Sequence, residues 1–217
     1  VTTGSPAIDY FLSCDAMEPP DGEAHYGERL IRLPGPNVHY PRPARPAAAT
    51  REAFGFSAAD RLYVCPQSLF KFHPDFDAAI CEILRRDKAG RLILIDQQDP
   101  NHKRALLRRL AASAPEDILR RVVFVPQLPR AEFLALLSVA DVVLDTFHFS
   151  GGNTTLEALA LDRPVLTLPG RFMRGRHTAG FYRLMGMDDC IAQSPADYVD
   201  RALEIANSTT LQKSLAE

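Results

Sequence analysis

Residues 142–170 read VVLDTFHFSGGNTTLEALALDRPVLTLPG, and their order of residue types predicts strand, loop, helix and strand. Val142–Leu144 is an apolar run suited to a buried parallel strand, and Asp145-Thr146 end it with side chains that hydrogen-bond loop backbone. Gly151 and Gly152 allow positive φ and close backbone approach. Asn153, Thr154 or Thr155 can then cap a helix that continues through Leu156, Glu157, Leu159 and Ala160. Arg163-Pro164 stop that helix, Val165–Leu168 form the next buried strand, and Pro169-Gly170 turn the chain. A helix starting on a glycine loop presents free N–H groups and the positive end of its dipole, so it favours a diphosphate over a neutral guest. Glu157 would repel phosphate head-on, but pointing sideways it can accept two hydroxyl hydrogen bonds from a ribose. An ordinary loop and N-cap would use the same residue types, so the spacing alone leaves both open.

Outward from this stretch the periodicities alternate. Pro129–Ala140 reads as an amphipathic helix, preceded by strands at Val122–Val125, Arg91–Ile95 and Arg61–Cys65. A helix starts at Pro74, buries Phe76, Ala79, Ile80, Ile83 and Leu84, and ends at Gly90. A second is expected near Lys103–Ala112, with a short turn at residues 117–119. After the central stretch come a helix over Met173–Leu184, a short strand at Cys190–Ala192, a helix over Pro195–Ala206, and a fraying tail. Such alternation predicts an α/β fold: a doubly wound, Rossmann-like parallel sheet with helices on both faces. In such sheets the loops at the carboxyl ends of the strands face the ligand, which places Pro66–Lys71 beside the glycine loop.

The first 48 residues hold eight of the 17 prolines, which forbids a long helix and predicts an extended segment with strands at Ala7–Ser13 and Glu28–Pro34. Composition changes around Ala47–Thr50, so the expected units are 1–48 and 49–217. With 217 residues, 46% of them hydrophobic, the chain can bury a real core. Its formal charge of −2 gives no field for nucleic acid or an anionic membrane, and neither partner is expected. Apolar runs are short and no leader pattern precedes them, so a cytoplasmic location is expected. Cys14, Cys65, Cys81 and Cys190 lie far apart and are expected to be reduced thiols. The histidines, among them His73, His102, His148 and His177, read as dispersed, and no metal site is predicted. The chain begins at Val1 in mid-phrase, as a piece of a longer protein would.

The phrase LDTFHFSGGNTTLEALALDRPVLTLPG resembles the nucleotide-sugar loop of the protein O-GlcNAc transferase and SPINDLY-like glycosyltransferases, family 41. The resemblance implies the C-terminal lobe of a two-lobed (GT-B) inverting enzyme, with residues 1–48 the remnant of its N-terminal catalytic lobe. UDP-GlcNAc is the implied donor, with UDP as product, and a protein Ser or Thr hydroxyl the acceptor. No cofactor or metal is implied, since a lysine and a helix N-terminus can stabilise the diphosphate. By the same resemblance, Lys71 is the catalytic cation on the leaving group and Gln67, or Ser68 in its place, contacts the pyrophosphate. Leu128 would bond the uracil edge through its backbone, with Arg130 and Phe133 flanking the ring. Equally, Phe133 can be a core residue of its helix and Arg130 a solvated one. Arg176-His177 resemble a family Ser-Arg pair near the diphosphate, which implies that Arg176 touches the ligand. The acceptor would be recognised by sequence upstream, so no transferase activity is expected of the chain alone. Competing readings are an N-linked protein glucosyltransferase of the same family, a sugar-nucleotide epimerase, and a non-catalytic nucleotide-binding module.

Overall fold

A computed structural model describes residues 2–36 and 38–216. Two sheets organise it. The smaller pairs β1 (Tyr10–Cys14) with β2 (Arg29–Leu33) in parallel. β1 thus starts three residues later than the apolar pattern suggested, because Ala7–Asp9 stay exposed. A parallel pair needs a long return connection, and residues 15–28 supply it, with a short 3-10 turn at Gly22–His25.

The larger sheet is built from β3 (Arg61–Cys65), β4 (Gly90–Ile95), β5 (Val122–Val125), β6 (Val142–Leu144) and β7 (Val165–Leu166). Every pairing in it is parallel and the order is β5-β4-β3-β6-β7, so the winding reverses between β3 and β6. Its strands are continuous apolar runs because helices cover both faces; Leu62–Cys65, Leu92–Leu94 and Val142–Leu144 are all buried. The crossovers carry α1 (Pro74–Arg86), α2 (Pro100–Ser113), a single turn α3 (Glu116–Leu119), α4 (Arg130–Ser138) and α5 (Asn153–Ala160). Beyond β7 follow α6 (His177–Met185), α7 (Pro195–Asn207) and α8 (Thr209–Ser214). Packing of α7 on α1 and of α4 on α5 fixes the two helical layers.

Four further differences from the sequence reading concern α1 and the chain after β7. α1 ends at Arg86, not Gly90, because Asp87 is drawn inward to bind Arg61 and accept from the Tyr63 hydroxyl at 2.7 Å; Gly90 therefore opens β4. The Met173–Leu184 helix is split into a 3-10 turn at Met173–Gly175 and α6. Gly175 lies against the His148 backbone, where a Cβ would sit 3.0 Å from its carbonyl. Cys190–Ala192 contributes only an isolated bridge, Thr167 to Ile191. The tail carries a helix over Thr209–Ser214: Ser208 Oγ accepts from Leu211 N at 3.1 Å and caps α8.

One aromatic cluster positions the site. Phe76 of α1, Phe147 after β6 and Tyr198 of α7 meet with centroids 5.0–6.0 Å apart. The Tyr198 hydroxyl donates to the Asp145 backbone carbonyl at 2.9 Å, so the carboxyl end of β6 is pinned by a helix more than fifty residues away. The first residues dock through Met17, which is fully buried against α6; a Cβ on Gly180 would lie 2.6 Å from Met17 Cγ.

Candidate functional site

Reversal of winding between β3 and β6 opens a crevice at their carboxyl ends, where ligands of doubly wound sheets bind. Two loops meet there, Pro66–Phe72 from β3 and Asp145–Gly152 from β6. Lys71 Nζ donates to Gln67 Oε1 at 2.9 Å and to the Ser150 carbonyl at 3.3 Å. It also lies 4.7 Å over the Phe149 ring. Gln67 Nε2 donates to Thr154 Oγ1 at 2.8 Å. Gln67, Lys71, Gly151 and Thr154 are thereby brought into one constellation.

The glycine loop is held from below by Asp145, which has no exposed surface. Its Oδ1 accepts from Gly151 N at 2.7 Å and its Oδ2 from Thr167 Oγ1 at 2.8 Å. Burial pushes its carboxyl up to about 6, against those hydrogen bonds and the nearby Lys71 cation. Burial in turn lowers the Lys71 ammonium, which Asp145 counters. His177 is lowered first by burial and then by the same lysine. Its backbone N–H donates to Ser150 Oγ at 2.9 Å, and Thr155 Oγ1 and Thr178 Oγ1 share a 2.9 Å hydrogen bond beneath the loop.

Neither Gly151 nor Gly152 adopts positive φ; in this loop that conformation falls to His148, at φ 67°. Gly151 is required for space instead. A Cβ there would stand 2.6 Å from Thr155 Oγ1 and closer still to Gln67. The capping expectation also changes. Gly152 is the N-cap and offers no side chain, while Asn153, Thr154 and Thr155 lie inside α5. The amides of Gly152, Asn153 and Thr154 consequently have no protein acceptor among the described residues, which leaves a helix N-terminus open towards the crevice.

Glu157 is buried at 7% exposure on the side of α5 facing α4. Its Oε1 accepts from the Tyr40 hydroxyl at 2.6 Å and lies 3.4 Å from Arg130 Nη2. Leu128 and Phe133 are half-buried and pack against the main core. The Arg176 guanidinium donates to the carbonyls of Met17 and Gly170, both at 3.0 Å, and ties the first residues to the lobe.

Two histidines that read as dispersed are neighbours. His148 Nε2 lies 2.8 Å from Asp75 Oδ2, and His73 Nδ1 lies 3.3 Å from the same oxygen. Arg171 and Arg174 line the same hollow and α1 begins there, so the local field opposes a bound cation. Asp75-Phe76-Asp77 is an Asp-x-Asp sequence, but Asp77 is spent on Arg109 at 2.6 Å and Phe76 between them is buried. Ser150 and Tyr40 escaped sequence reading as site residues, and Asp145 was read only as a strand end that hydrogen-bonds loop backbone, which it does at Gly151. A carboxylate at a strand end six residues before a glycine was the one available signal, and it serves Asp145 alone.

The parallel sheet and the crevice at its switch point define a lobe of the GT-B glycosyltransferase class. The chain belongs to glycosyl transferase family 41, whose sequence profile matches residues 41–217. It is 26% identical over 99% of its length to SPINDLY of Solanum lycopersicum, described as a probable UDP-N-acetylglucosamine–peptide N-acetylglucosaminyltransferase. It is 25% identical over 97% of its length to the SEC protein of Arabidopsis thaliana, described in the same words. It spans about a quarter of these plant relatives, 23% and 22% of their lengths. Among solved structures, a mutant O-GlcNAc transferase of Thermobaculum terrenum matches 99% of this chain and 40% of its own, with TM-score 0.78 and 30% identity. The UDP-GlcNAc 2-epimerase of Neisseria meningitidis shares the fold alone, at TM-score 0.55 and 13% identity over 76% of this chain and 41% of its own.

Proposed function

We propose that this chain is the donor-binding lobe of an inverting, metal-independent protein glycosyltransferase that moves GlcNAc from UDP-GlcNAc to Ser or Thr hydroxyls. Residues 1–48 belong with the opposite lobe. The reading rests on one observation above all: Lys71 reaches the glycine loop beside a helix N-terminus whose first amides are free. Those amides donate to the diphosphate oxygens, and Lys71 balances the charge that builds on the β-phosphate as the acceptor oxygen bonds to the anomeric carbon and UDP leaves. Gln67 holds the lysine in place. Glu157 takes ribose hydroxyls, Leu128 and Arg130 edge the base with Phe133 supporting them, and Arg176 fixes the first residues against the lobe. The acceptor hydroxyl and the base that deprotonates it are assigned to sequence beyond this chain, which alone would not turn over. Four buried free thiols fit a reducing compartment, and we place the protein in the cytoplasm.

Titration calorimetry with UDP and with uridine, in excess chelator, tests this reading. UDP is expected to bind in chelator, and Lys71→Ala to weaken UDP about tenfold, as loss of a charge-assisted contact should, while leaving uridine unchanged. Binding abolished by chelation would sink metal independence, and equal weakening of uridine would make Lys71 structural.

A further inference from the structure

Tyr40 lies in the proline-rich segment, 117 residues from its partner Glu157. Its hydroxyl donates to Glu157 Oε1 at 2.6 Å and accepts from Arg130 Nη2 at 3.0 Å, and Arg130 also approaches the same Oε1 at 3.4 Å. Two donors therefore converge on one oxygen of a buried carboxylate. Oε2 has no hydrogen-bond partner among the described residues. The segment that carries Tyr40 is itself anchored: Arg42 Nη2 donates to the Ala160 carbonyl at 3.2 Å and Arg45 pairs with Asp162, just past the end of α5. Pro41 and Pro43 fix φ at two positions between these anchors, which stiffens the strap that carries Tyr40.

A free glutamate turns about three side-chain bonds and must be ordered before it can receive a ligand, and ordering it in advance raises affinity without a new ligand contact. We propose that Tyr40 is a positioning residue of the nucleoside pocket: it clamps Glu157 through Oε1 and so presents Oε2 to the hydroxyls of a ribose. This rests on the assignment of Glu157 to the ribose under the proposed function. It extends the donor site to a residue outside the parallel sheet and makes the strap part of how the protein tells a ribonucleotide from one lacking the 2′ and 3′ hydroxyls.

The test compares UDP with 2′,3′-dideoxy-UDP by calorimetry on the full chain, for the unmodified protein, Tyr40→Phe and Glu157→Ala, with thermal melting as a control for folding. Phenylalanine keeps the ring and removes only the hydroxyl. Tyr40→Phe is expected to weaken UDP about tenfold, the scale of one charge-assisted hydrogen bond, and to leave the dideoxy analogue within about twofold, a difference too small to count as a lost hydrogen bond. If Tyr40→Phe weakens both nucleotides equally, the residue is merely structural and the inference fails. If it tightens UDP, Tyr40 competes with the ribose for Glu157, and the inference fails in the opposite sense. A preference for UDP that Glu157→Ala removes but Tyr40→Phe preserves overturns the clamp and leaves the ribose role of Glu157 standing. No preference in the unmodified protein overturns both.

Discussion

Asp145 is shut away from water and yet must hold the glycine loop from below, and those two conditions pull its titration in opposite directions. Its three hydrogen-bonding neighbours and Lys71 favour the ionised form, but burial wins and pushes the carboxyl up to about 6. In the unfolded chain an aspartate titrates near 3.9. The folded state thus binds the proton more tightly, so this group favours folding most below pH 4 and loses that contribution as the pH climbs from about 4 to about 6. The difference between about 4 unfolded and about 6 folded corresponds to roughly 3 kcal/mol. We predict that Asp145→Asn, which can still accept from Gly151 N, removes this downward slope. Urea unfolding at pH 4, 5, 6 and 7 measures it: the stability of the aspartate protein relative to the asparagine variant should decline across that window. A constant difference would mean that the carboxyl titrates normally. The cost is tolerated because an ionised Asp145 at neutral pH also keeps a negative charge close to Lys71, whose burial otherwise favours its neutral form.

Among the elements, α7 does the most remote work. Ser194 Oγ accepts from Asp197 N at 3.1 Å and Pro195 occupies the first turn, so the start of the helix is set locally. One turn on, Tyr198 reaches the Asp145 carbonyl. Ser194→Ala is expected to cost about 1 kcal/mol, typical for a lost N-cap, read as a lower urea midpoint. UDP affinity should stay unchanged, because the cap is spent on the helix and not on the crevice. The order of strands and helices was legible in the sequence because a buried parallel strand is a continuous apolar run between breakers; β3, β5 and β6 begin and end where that pattern says. Errors fell where a distant partner decides a local outcome. Asp87 ends α1 three residues early to serve Arg61 and Tyr63, and the packing of Gly175 on His148 divides a helix that its own periodicity would continue. The candidate site divides in the same way. Gly151, Thr154, Glu157 and Lys71 sit in motifs with recognisable spacing, whereas Tyr40 gains its importance from a contact 117 residues away that no short window contains. Residue type alone also could not reveal that Gly151 is needed for room and not for positive φ.

The molecule as a whole joins a well-covered five-stranded lobe to a two-stranded sheet that pairs with nothing else among the described residues. Met17, packed on α6, and the Arg176 guanidinium are among the contacts that hold the pieces together. Both outer edges of β1 and β2 keep unpaired N–H and C=O groups, and Tyr10 and Leu12 of β1 are 57% and 63% exposed. An exposed apolar edge is a template on which another chain can add a strand. In concentrated solution the shelf life of this protein is therefore expected to be set by β1 and not by the cohesion of the main core. Leu12→Lys, placing a charge on that edge, should slow the growth of scattered light during storage while leaving the melting temperature within about 2 °C, as expected of a surface change outside the core. Equal turbidity in both proteins would point to nucleation elsewhere. Salt is by contrast a weak handle on that edge: with a net charge of −2 there is little long-range repulsion to screen, so added sodium chloride should hardly alter the rate at which particles form.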